Sequence, residues 1–253
     1  MITFVGAGPG AEDLITIRGL KLLQGADIIV YAGSLVNPEL LKNKKKTCIV
    51  YNSATMTLEE VMEVMIDGNR EGKEIVRLHT GDPCLYGAIK EQMDWLEQEQ
   101  IRYEVCPGVS SFCGAAAVLN AEYTLPGISQ SVVITRMAGR TPVPERESIR
   151  SFATHQATMT IFLSTGMLSE LQEELIAGGY PQDTPAAIVY KATWPDEKVY
   201  HCTIESLAKT AEENQIRKTA LIVVGRVLDS EYQRSELYHP DFTTEFRKGR
   251  KEP

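Results

Sequence analysis

Short apolar runs alternate with helical segments along this chain, and this alternation is the feature that most restricts its fold. The runs at 2–5, 26–32, 47–51 and 74–80 are rich in isoleucine and valine, and segments with helical character separate them. Strands that alternate with helices form a mostly parallel sheet that is covered on both faces. The first half of the chain is therefore predicted to be an α/β domain.

A second set of elements follows a joint at residues 122–130, which contains a Pro-Gly pair. Beyond the joint, the strand-like runs at 186–192 and 198–203 follow each other without a helix between them, which favours a mixed sheet. We predict an N-terminal α/β domain over residues 1–124, a C-terminal α/β domain over 125–230 and a charged, exposed tail over 231–253.

Composition narrows the classes of function. The net charge of -8 disfavours a nucleic-acid partner, although a few local arginines would still suit an anionic small substrate. The five cysteines are scattered without a C-x-x-C pair and the four histidines show no metal-ligand spacing, so we expect reduced thiols and no metal site. No signal-peptide pattern and no long apolar run is present, so we expect a cytoplasmic protein with no membrane segment.

The stretch GAGPGA at residues 6–11 matches a form of the dinucleotide-binding fingerprint. That fingerprint also needs an acidic residue at the end of the second strand, about 20 residues later. Here Asp27 precedes the second strand instead of ending it, and Pro9 removes an N–H group that a diphosphate needs. A Gly/Pro turn that joins a strand to a helix and needs no ligand is the alternative interpretation of the string. Asp13 is predicted to cap the helix that follows.

Four segments taken together are more specific than the glycine loop alone. They share order and spacing with the tetrapyrrole methylase family, which the chain resembles over nearly all of residues 1–228. The resemblance implies two α/β domains with an active-site cleft between them, S-adenosylmethionine as methyl donor, S-adenosylhomocysteine as product and a homodimer. The segments are VGAGPGAEDLITIRGLKLLQGADIIVY at 5–31, RLHTGDPCLYG at 77–87, VCPGVSSFCGAAAVLNAEYTLPG at 105–127 and TALIVVGRV at 219–227.

The resemblance also implies which residues contact the methyl donor. For Asp82 the residue pattern equally allows a turn-forming aspartate before a proline, and for the serine pair it allows simple helix capping. The implied donor contacts are Pro9, Gly81, Asp82, Leu85, Tyr86, Ser110, Ser111, Ser164, Ala192, Ala220 and Leu221.

A second string, SQSVVITRMAGRTPVPE at 129–145, concerns the substrate. It resembles the branch of the family that methylates carbon 11 of precorrin-4 or of its cobalt form in cobalamin (vitamin B12) biosynthesis. Such a macrocycle carries many carboxylates, which arginine binds through a bidentate fork. We therefore predict that Arg136 and Arg140, together with Gly8, bind the substrate. A pair of exposed surface arginines is the alternative.

Methyl transfer from a sulfonium to an electron-rich carbon depends mainly on alignment of the reacting atoms. If a weak base removes a proton, His79 and Tyr123 are the candidates, although a structural role is the stronger interpretation of His79. Three alternatives stay open. The first is a sibling methylase that acts on another carbon or intermediate, and the second is the branch of the family that methylates ribosomal RNA, which the negative net charge disfavours. The third is a nucleotide-binding oxidoreductase or sensor.

Overall fold

The computed structural model describes residues 1–33, 35–229 and 231–250. The chain divides into two compact units, one formed by residues 1–118 and 190–198 and the other by 119–189 and the residues from 199 onward. Each unit contains a five-stranded sheet with helices, so the predicted α/β class is confirmed. The predicted boundary after residue 124 and the predicted tail from 231 stay predictions.

Unit 1 contains a parallel sheet with strand order β3-β2-β4-β1-β5. Gly6 at the end of β1 pairs with His79 at the end of β4, and Val5 pairs with Cys106 at the end of β5. These three neighbouring strands therefore end at the same edge. The strands are β1 (Ile2–Gly6), β2 (Ile28–Tyr31), β3 (Ile49–Asn52), β4 (Ile75–His79) and β5 (Tyr103–Cys106), and the helices are α1 (Ile17–Gly25), α2 (Leu58–Arg70), α3 (Lys90–Gln98) and α4 (Ser111–Leu119).

Apolar residues cover both faces of this sheet. Val5 and Leu78 pack with Leu23 of α1 on one face, whereas Phe4 packs with Met62 of α2 on the other. A strand that is buried on both faces reads as a continuous apolar run, which is why the sequence pattern located these strands.

The start of α1 differs from the prediction. Asp13 lies in a short 3-10 helix, Glu12–Leu14, and Thr16 caps α1 by accepting a hydrogen bond from the N–H of Gly19 at 3.0 Å. The prediction that Asp13 is the cap is wrong because the 3-10 turn delays the helix, and a threonine hydroxyl fills the same role as an aspartate.

Unit 2 contains a mixed sheet with strand order β6-β7-β10-β8-β9, in which β6 and β7 are parallel and β7 and β10 are antiparallel. Met159, Ile161 and Ile222 are fully buried in its core. The strands are β6 (Val132–Arg136), β7 (Thr158–Phe162), β8 (Pro185–Tyr190), β9 (Lys198–Thr203) and β10 (Ala220–Val224), and the helices are α5 (Ile149–Ala153), α6 (Leu168–Ala177) and α7 (Leu207–Glu213).

The segment from 231 to 250 is mostly exposed and contains a short 3-10 helix, Glu236–Tyr238. The Arg247 guanidinium donates hydrogen bonds to three carbonyl groups of this segment, including those of Leu237 and His239. Across the described part of the chain, every helix is too short or too polar to cross a membrane.

Candidate active site

The three loops that follow β1, β4 and β5 leave the same edge of the unit 1 sheet. Open α/β sheets bind ligands at the carboxyl ends of their strands, so this edge is the first place to look for a site. The structure brings six of the predicted site residues together on these loops: Gly8, Pro9, Gly81, Asp82, Ser110 and Ser111.

The loops after β1 and β4 are joined through their backbones. The N–H of Ala7 donates to the carbonyl of His79 at 2.7 Å. Gly8 and Gly81 exchange hydrogen bonds, at 3.2 Å from the Gly8 N–H and 2.8 Å from the Gly81 N–H. Both glycines have positive φ, +83° and +59° respectively, a conformation that other residues rarely adopt. Glycine at both positions is therefore required by the pairing of the two loops.

The loops after β4 and β5 are joined by the side chain of Asp82. One carboxylate oxygen accepts from the N–H of Cys84 and the other accepts from the N–H of Gly108, each at 2.8 Å. Burial opposes ionisation of Asp82, but the hydrogen bonds from Cys84 and Gly108 outweigh it, so the pKa of this carboxyl lies below its ordinary value. Asp82 is therefore an anion that fixes the geometry of two loops and still has lone pairs for a ligand.

Ser110 and Ser111 lie at the start of α4. The carbonyl of buried Ser110 accepts the first bonds of the helix, from Cys113 at 3.0 Å and Gly114 at 3.1 Å. Gly81 lies against this first turn, since a Cβ at position 81 would be 3.4 Å from the Ser111 nitrogen. The first N–H groups of a helix make no bonds within the helix and attract acceptor atoms, so this turn is suited to place donors at the edge that carries Asp82.

The loop beyond Asp82 has an unusual backbone. Tyr86 has a φ of +57° and Ala88 a φ of +49°, and the Tyr86 side chain is 43% exposed. Leu85 is half-buried, and its N–H donates to the carbonyl of Asp82 at 3.3 Å. Bulky residues with positive φ are uncommon and cluster at binding sites, which is consistent with the role predicted for Tyr86.

The glycine loop is held by side chains that sequence reasoning missed. Asn37 donates to the carbonyl of Gly10 at 2.8 Å. Trp194 donates through its indole N–H to the carbonyl of Pro9 at 3.1 Å, and the Thr193 hydroxyl accepts from the N–H of Ala11 at 3.0 Å. The partners are up to 185 residues apart along the chain, so no local signal in the sequence identified them.

This arrangement explains why the loop is not a diphosphate cradle. The N–H groups of Ala7, Gly8 and Ala11 all donate within the protein, and Pro9 has none. α1 begins only at Ile17, so its N-terminus does not follow the glycine loop directly as it does in a dinucleotide site. The predicted donor contact Ala192 is also at this loop: its carbonyl oxygen would be 2.8 Å from a Cβ on Gly10.

The candidate base His79 is buried against Phe4, with ring centroids 6.1 Å apart. Its Nε2 atom has no hydrogen-bond partner within the described residues. Burial, and secondarily the positive charge of Arg77, lowers the pKa of His79 to about 3. The imidazole is thus neutral and only weakly basic near neutral pH, which favours a packing role.

The other predicted site residues lie in unit 2. Arg136 donates hydrogen bonds of 3.0–3.1 Å to the carbonyls of Met137, Thr141 and Pro142, and so holds together the loop that carries exposed Arg140. The guanidinium has five N–H groups, so two remain beyond these three bonds.

Ser164 lies close to the same loop. Its buried hydroxyl accepts from the N–H of Met137 at 2.9 Å and donates to the carbonyl of Phe162 at 2.7 Å. Both bonds brace the backbone at the ends of β6 and β7, which lie side by side. Ser164 therefore has a structural function besides the donor contact that was predicted for it.

The last three predicted residues are buried or half-buried within unit 2. Ala220 and Leu221 begin β10, and the carbonyl of Ala220 accepts from the hydroxyl of Thr165 at 3.1 Å. Tyr123 is buried, and its carbonyl accepts from Thr158 at 2.8 Å. No group of three His, Cys, Asp or Glu residues among the described positions is arranged to hold a metal ion.

Comparisons with known proteins agree with this fold. The family model of Tetrapyrrole (Corrin/Porphyrin) Methylases matches residues 1–208. A cobalt-precorrin-4 C(11)-methyltransferase from Methanocaldococcus jannaschii is 51% identical over 99% of this chain and 97% of its own length. A precorrin-4 C(11)-methyltransferase from Pseudomonas aeruginosa is 40% identical over 98% of this chain and 99% of its own.

A solved structure also has this fold. The X-ray structure of a cobalt precorrin-4 methyltransferase of cobalamin biosynthesis superposes with a TM-score of 0.88 at 48% identity, and the match covers 90% of this chain and 96% of that one. The chain therefore belongs to the tetrapyrrole methylase family. The resemblance that the four sequence segments predicted is confirmed.

Proposed function

We propose that this protein transfers a methyl group from S-adenosylmethionine to carbon 11 of precorrin-4 or cobalt-precorrin-4, in cobalamin biosynthesis. The observation that carries the proposal is the near full-length identity, 51% and 40%, to relatives named for methylation at that carbon. The cobalt form is the first candidate substrate because the more similar of these two relatives is named for it.

The residues at the carboxyl edge of unit 1 fit the methyl donor. S-adenosylmethionine supplies an activated methyl group on a sulfonium, and it also carries an ammonium group, a carboxylate and ribose hydroxyls. Asp82 is an anion with spare lone pairs, suited to an ammonium or a hydroxyl group. The first turn of α4 at Ser110 and Ser111 offers N–H donors to acceptor atoms.

The chain's own contribution is orientation. The glycine loop, the Gly81–Asp82 loop and the loop at Gly108 that leads into α4 are tied by backbone and carboxylate hydrogen bonds, which fix the arrangement presented to the donor. Holding two reactants in line contributes about 7–11 kcal/mol in favourable cases. The neutral, weakly basic His79 does not suit proton removal near neutral pH, so alignment is the main task of the protein.

The β6 loop supplies cations for the acceptor. Arg140 is exposed, and Arg136 fixes the loop that carries it. We assign to Arg140 a direct contact with an acetate or propionate group of the macrocycle, with the two remaining N–H groups of Arg136 beside it. A homodimer and a cytoplasmic location, which the resemblance and the composition suggest, belong to the same proposal; sedimentation of the purified protein tests the first.

The proposal is tested by incubating the protein with S-adenosylmethionine and enzymatically prepared precorrin-4 or cobalt-precorrin-4. Mass spectrometry then counts added methyl groups, and a ¹³C-labelled methyl group locates the carbon by NMR. We expect one methyl on carbon 11. A methyl on another carbon, or turnover only with a different tetrapyrrole, would identify a sibling methylase instead.

A further inference from the structure

We propose that Thr193 and Trp194 are positioning residues that set the affinity for the methyl donor by fixing the conformation of the glycine loop, residues 7–11. This inference rests on the proposed function, because it assumes that the donor lies against this loop. Neither residue is among the predicted donor contacts. Both directly follow Ala192 in the sequence, and Ala192 is one of those predicted contacts.

The two side chains hold the loop from one side. Trp194 donates to the carbonyl of Pro9 and Thr193 accepts from the N–H of Ala11, so the residues on both sides of Gly10 are fixed. The carbonyl of Gly10 itself is held by Asn37. Three consecutive residues therefore have a backbone atom bound by a side chain from a distant part of the sequence.

The fit around the loop is also sterically tight. A Cβ at Gly10 would lie 2.1 Å from Cδ1 of Trp194, so the indole packs directly on the loop backbone. On the other side of the loop, the Pro9 ring lies against α4, since a Cβ at Gly114 would be 2.8 Å from the Cβ of Pro9. The indole therefore holds Pro9 close to the helix whose first turn is a proposed donor contact.

The segment that carries these residues is strained and braced by its own contacts. Thr193 has a φ of +68° and Lys191 a φ of +47°, and positive φ is a genuine outlier for a β-branched residue. The N–H of Thr193 donates to the Glu197 carboxylate, and the Lys191 ammonium lies 2.6 Å from Asp196 and 5.3 Å from the centre of the Trp194 ring. Such strain persists only where the surroundings fix it, and it clusters at functional sites.

The segment is longer than its connecting role requires. It spans the seven residues between Tyr190 at the end of β8 and Lys198 at the start of β9, whereas two to five residues are enough for most hairpin connections. The extra length and the left-handed threonine place the indole and the hydroxyl on the glycine loop. Loss of either bond lowers the fraction of molecules with a binding-competent loop, which weakens apparent affinity in proportion.

The test compares donor binding in matched variants. Trp194→Phe keeps an aromatic ring and removes the N–H donor, whereas Thr193→Val keeps the shape and removes the acceptor. Thr193→Ser keeps the hydroxyl and is the control. We expect the dissociation constant for S-adenosylmethionine, measured by calorimetry, to rise about 2- to 12-fold in the first two variants, as the loss of one hydrogen bond predicts, and to stay near the wild-type value in the control.

A second readout does not depend on activity. The chain has two tryptophans, so Trp95→Phe leaves Trp194 as the only indole fluorophore. We expect its emission to change when S-adenosylmethionine binds, and the effect to be lost in Gly10→Ala, whose new methyl group displaces the indole.

Three outcomes separate the hypotheses. If the wild-type protein binds the donor and Trp194→Phe and Thr193→Val bind it equally well, the inference is overturned even if both variants are less stable, because their role is then only structural. If the wild-type protein does not bind the donor, the proposed function fails and the inference fails with it. Binding of the donor with methylation of a different tetrapyrrole overturns only the choice of substrate.

Discussion

The carboxylate of Asp82 accepts the backbone N–H of Gly108 at 2.8 Å, and this single bond joins the ends of two strands that lie on either side of β1. Its other oxygen holds the N–H of Cys84, so the side chain organises the loop that it belongs to as well as its neighbour. Loop geometry and the negative charge proposed for donor binding thus come from the same group.

The substitution Asp82→Asn is expected to weaken both the loop geometry and the negative charge that Asp82 provides. An amide keeps only one acceptor oxygen, so one of the two N–H groups loses its partner at a cost of about 1–3 kcal/mol in unfolding free energy. Urea denaturation measures this change, with the exposed Glu104→Gln on β5 as a matched control. Because the pKa of Asp82 is lowered on folding, its contribution is fully present above its ordinary pKa of 3.8 and is lost as the pH falls through the folded value. A stability difference that persisted below that range would contradict this account.

His79 is expected to control acid stability and not turnover. Its pKa falls from 6.5 to about 3 on folding, so the unfolded chain binds a proton that the folded chain does not. Because of His79, the free energy of unfolding should therefore drop by about 1.4 kcal/mol per pH unit as the pH falls from 6.5 toward 3. His79→Gln should remove this pH dependence. Urea denaturation across this pH range measures it, with the exposed His155→Gln as control.

The same variant tests the base hypothesis. If His79 only packs, kcat of His79→Gln should stay within about threefold of wild type, whereas loss of a general base typically costs about 10²- to 10⁴-fold. A loss in the larger range in a folded variant would restore His79 as the base.

Gly10→Ala is expected to destabilise the protein by about 1–3 kcal/mol, because the new methyl group overlaps the indole of Trp194. Gly25→Ala in α1 is the control, since a Cβ there meets no atom within 4 Å. Adding Trp194→Ala to Gly10→Ala should recover part of the loss. Recovery stays incomplete because the Ala192 carbonyl oxygen would also be 2.8 Å from the added carbon. Thermal unfolding of the wild type, Gly10→Ala, Trp194→Ala and the double variant measures the coupling between the two positions, and strictly additive effects would contradict the contact.

The two arginines of the β6 loop are expected to differ in their effects. Arg140→Gln should raise KM for the tetrapyrrole by about 10- to 100-fold, the range for losing a charge-assisted contact, and leave donor binding unchanged. Arg136→Lys keeps the charge but not the planar fork that reaches three carbonyls, so it should raise KM and also make the loop more sensitive to proteolysis. Arg146→Gln is the control on the same segment. An unchanged KM in both variants would exclude this loop from substrate binding.

Sequence reasoning located the inner strands β1, β2 and β4 of unit 1 because they are buried and therefore mostly apolar. The family resemblance, and not strand geometry, grouped Gly81, Asp82 and Ser110 as donor contacts; in the structure they lie at the one edge where parallel strands β4 and β5 end. Sequence reasoning did not identify Trp194 or Asn37 as partners of the glycine loop, because such contacts depend on tertiary packing. It misplaced the cap of α1 because aspartate and threonine are both favoured at helix starts, and only the backbone path shows that Thr16 and not Asp13 precedes α1.

The close approach of Gly6, Gly81 and Gly108 has a practical consequence for protein engineering. A Cβ at Gly6 would lie 2.6 Å from both the Gly81 carbonyl oxygen and the Cα of Gly108, and a Cβ at Gly108 would lie 2.3 Å from that same oxygen. Backbone atoms cannot rotate out of the way as side chains do. A mutant library that randomises these positions will return almost only the parent residue, whereas the β6 loop, where Arg140 and its neighbours are open to solvent, has room for new side chains.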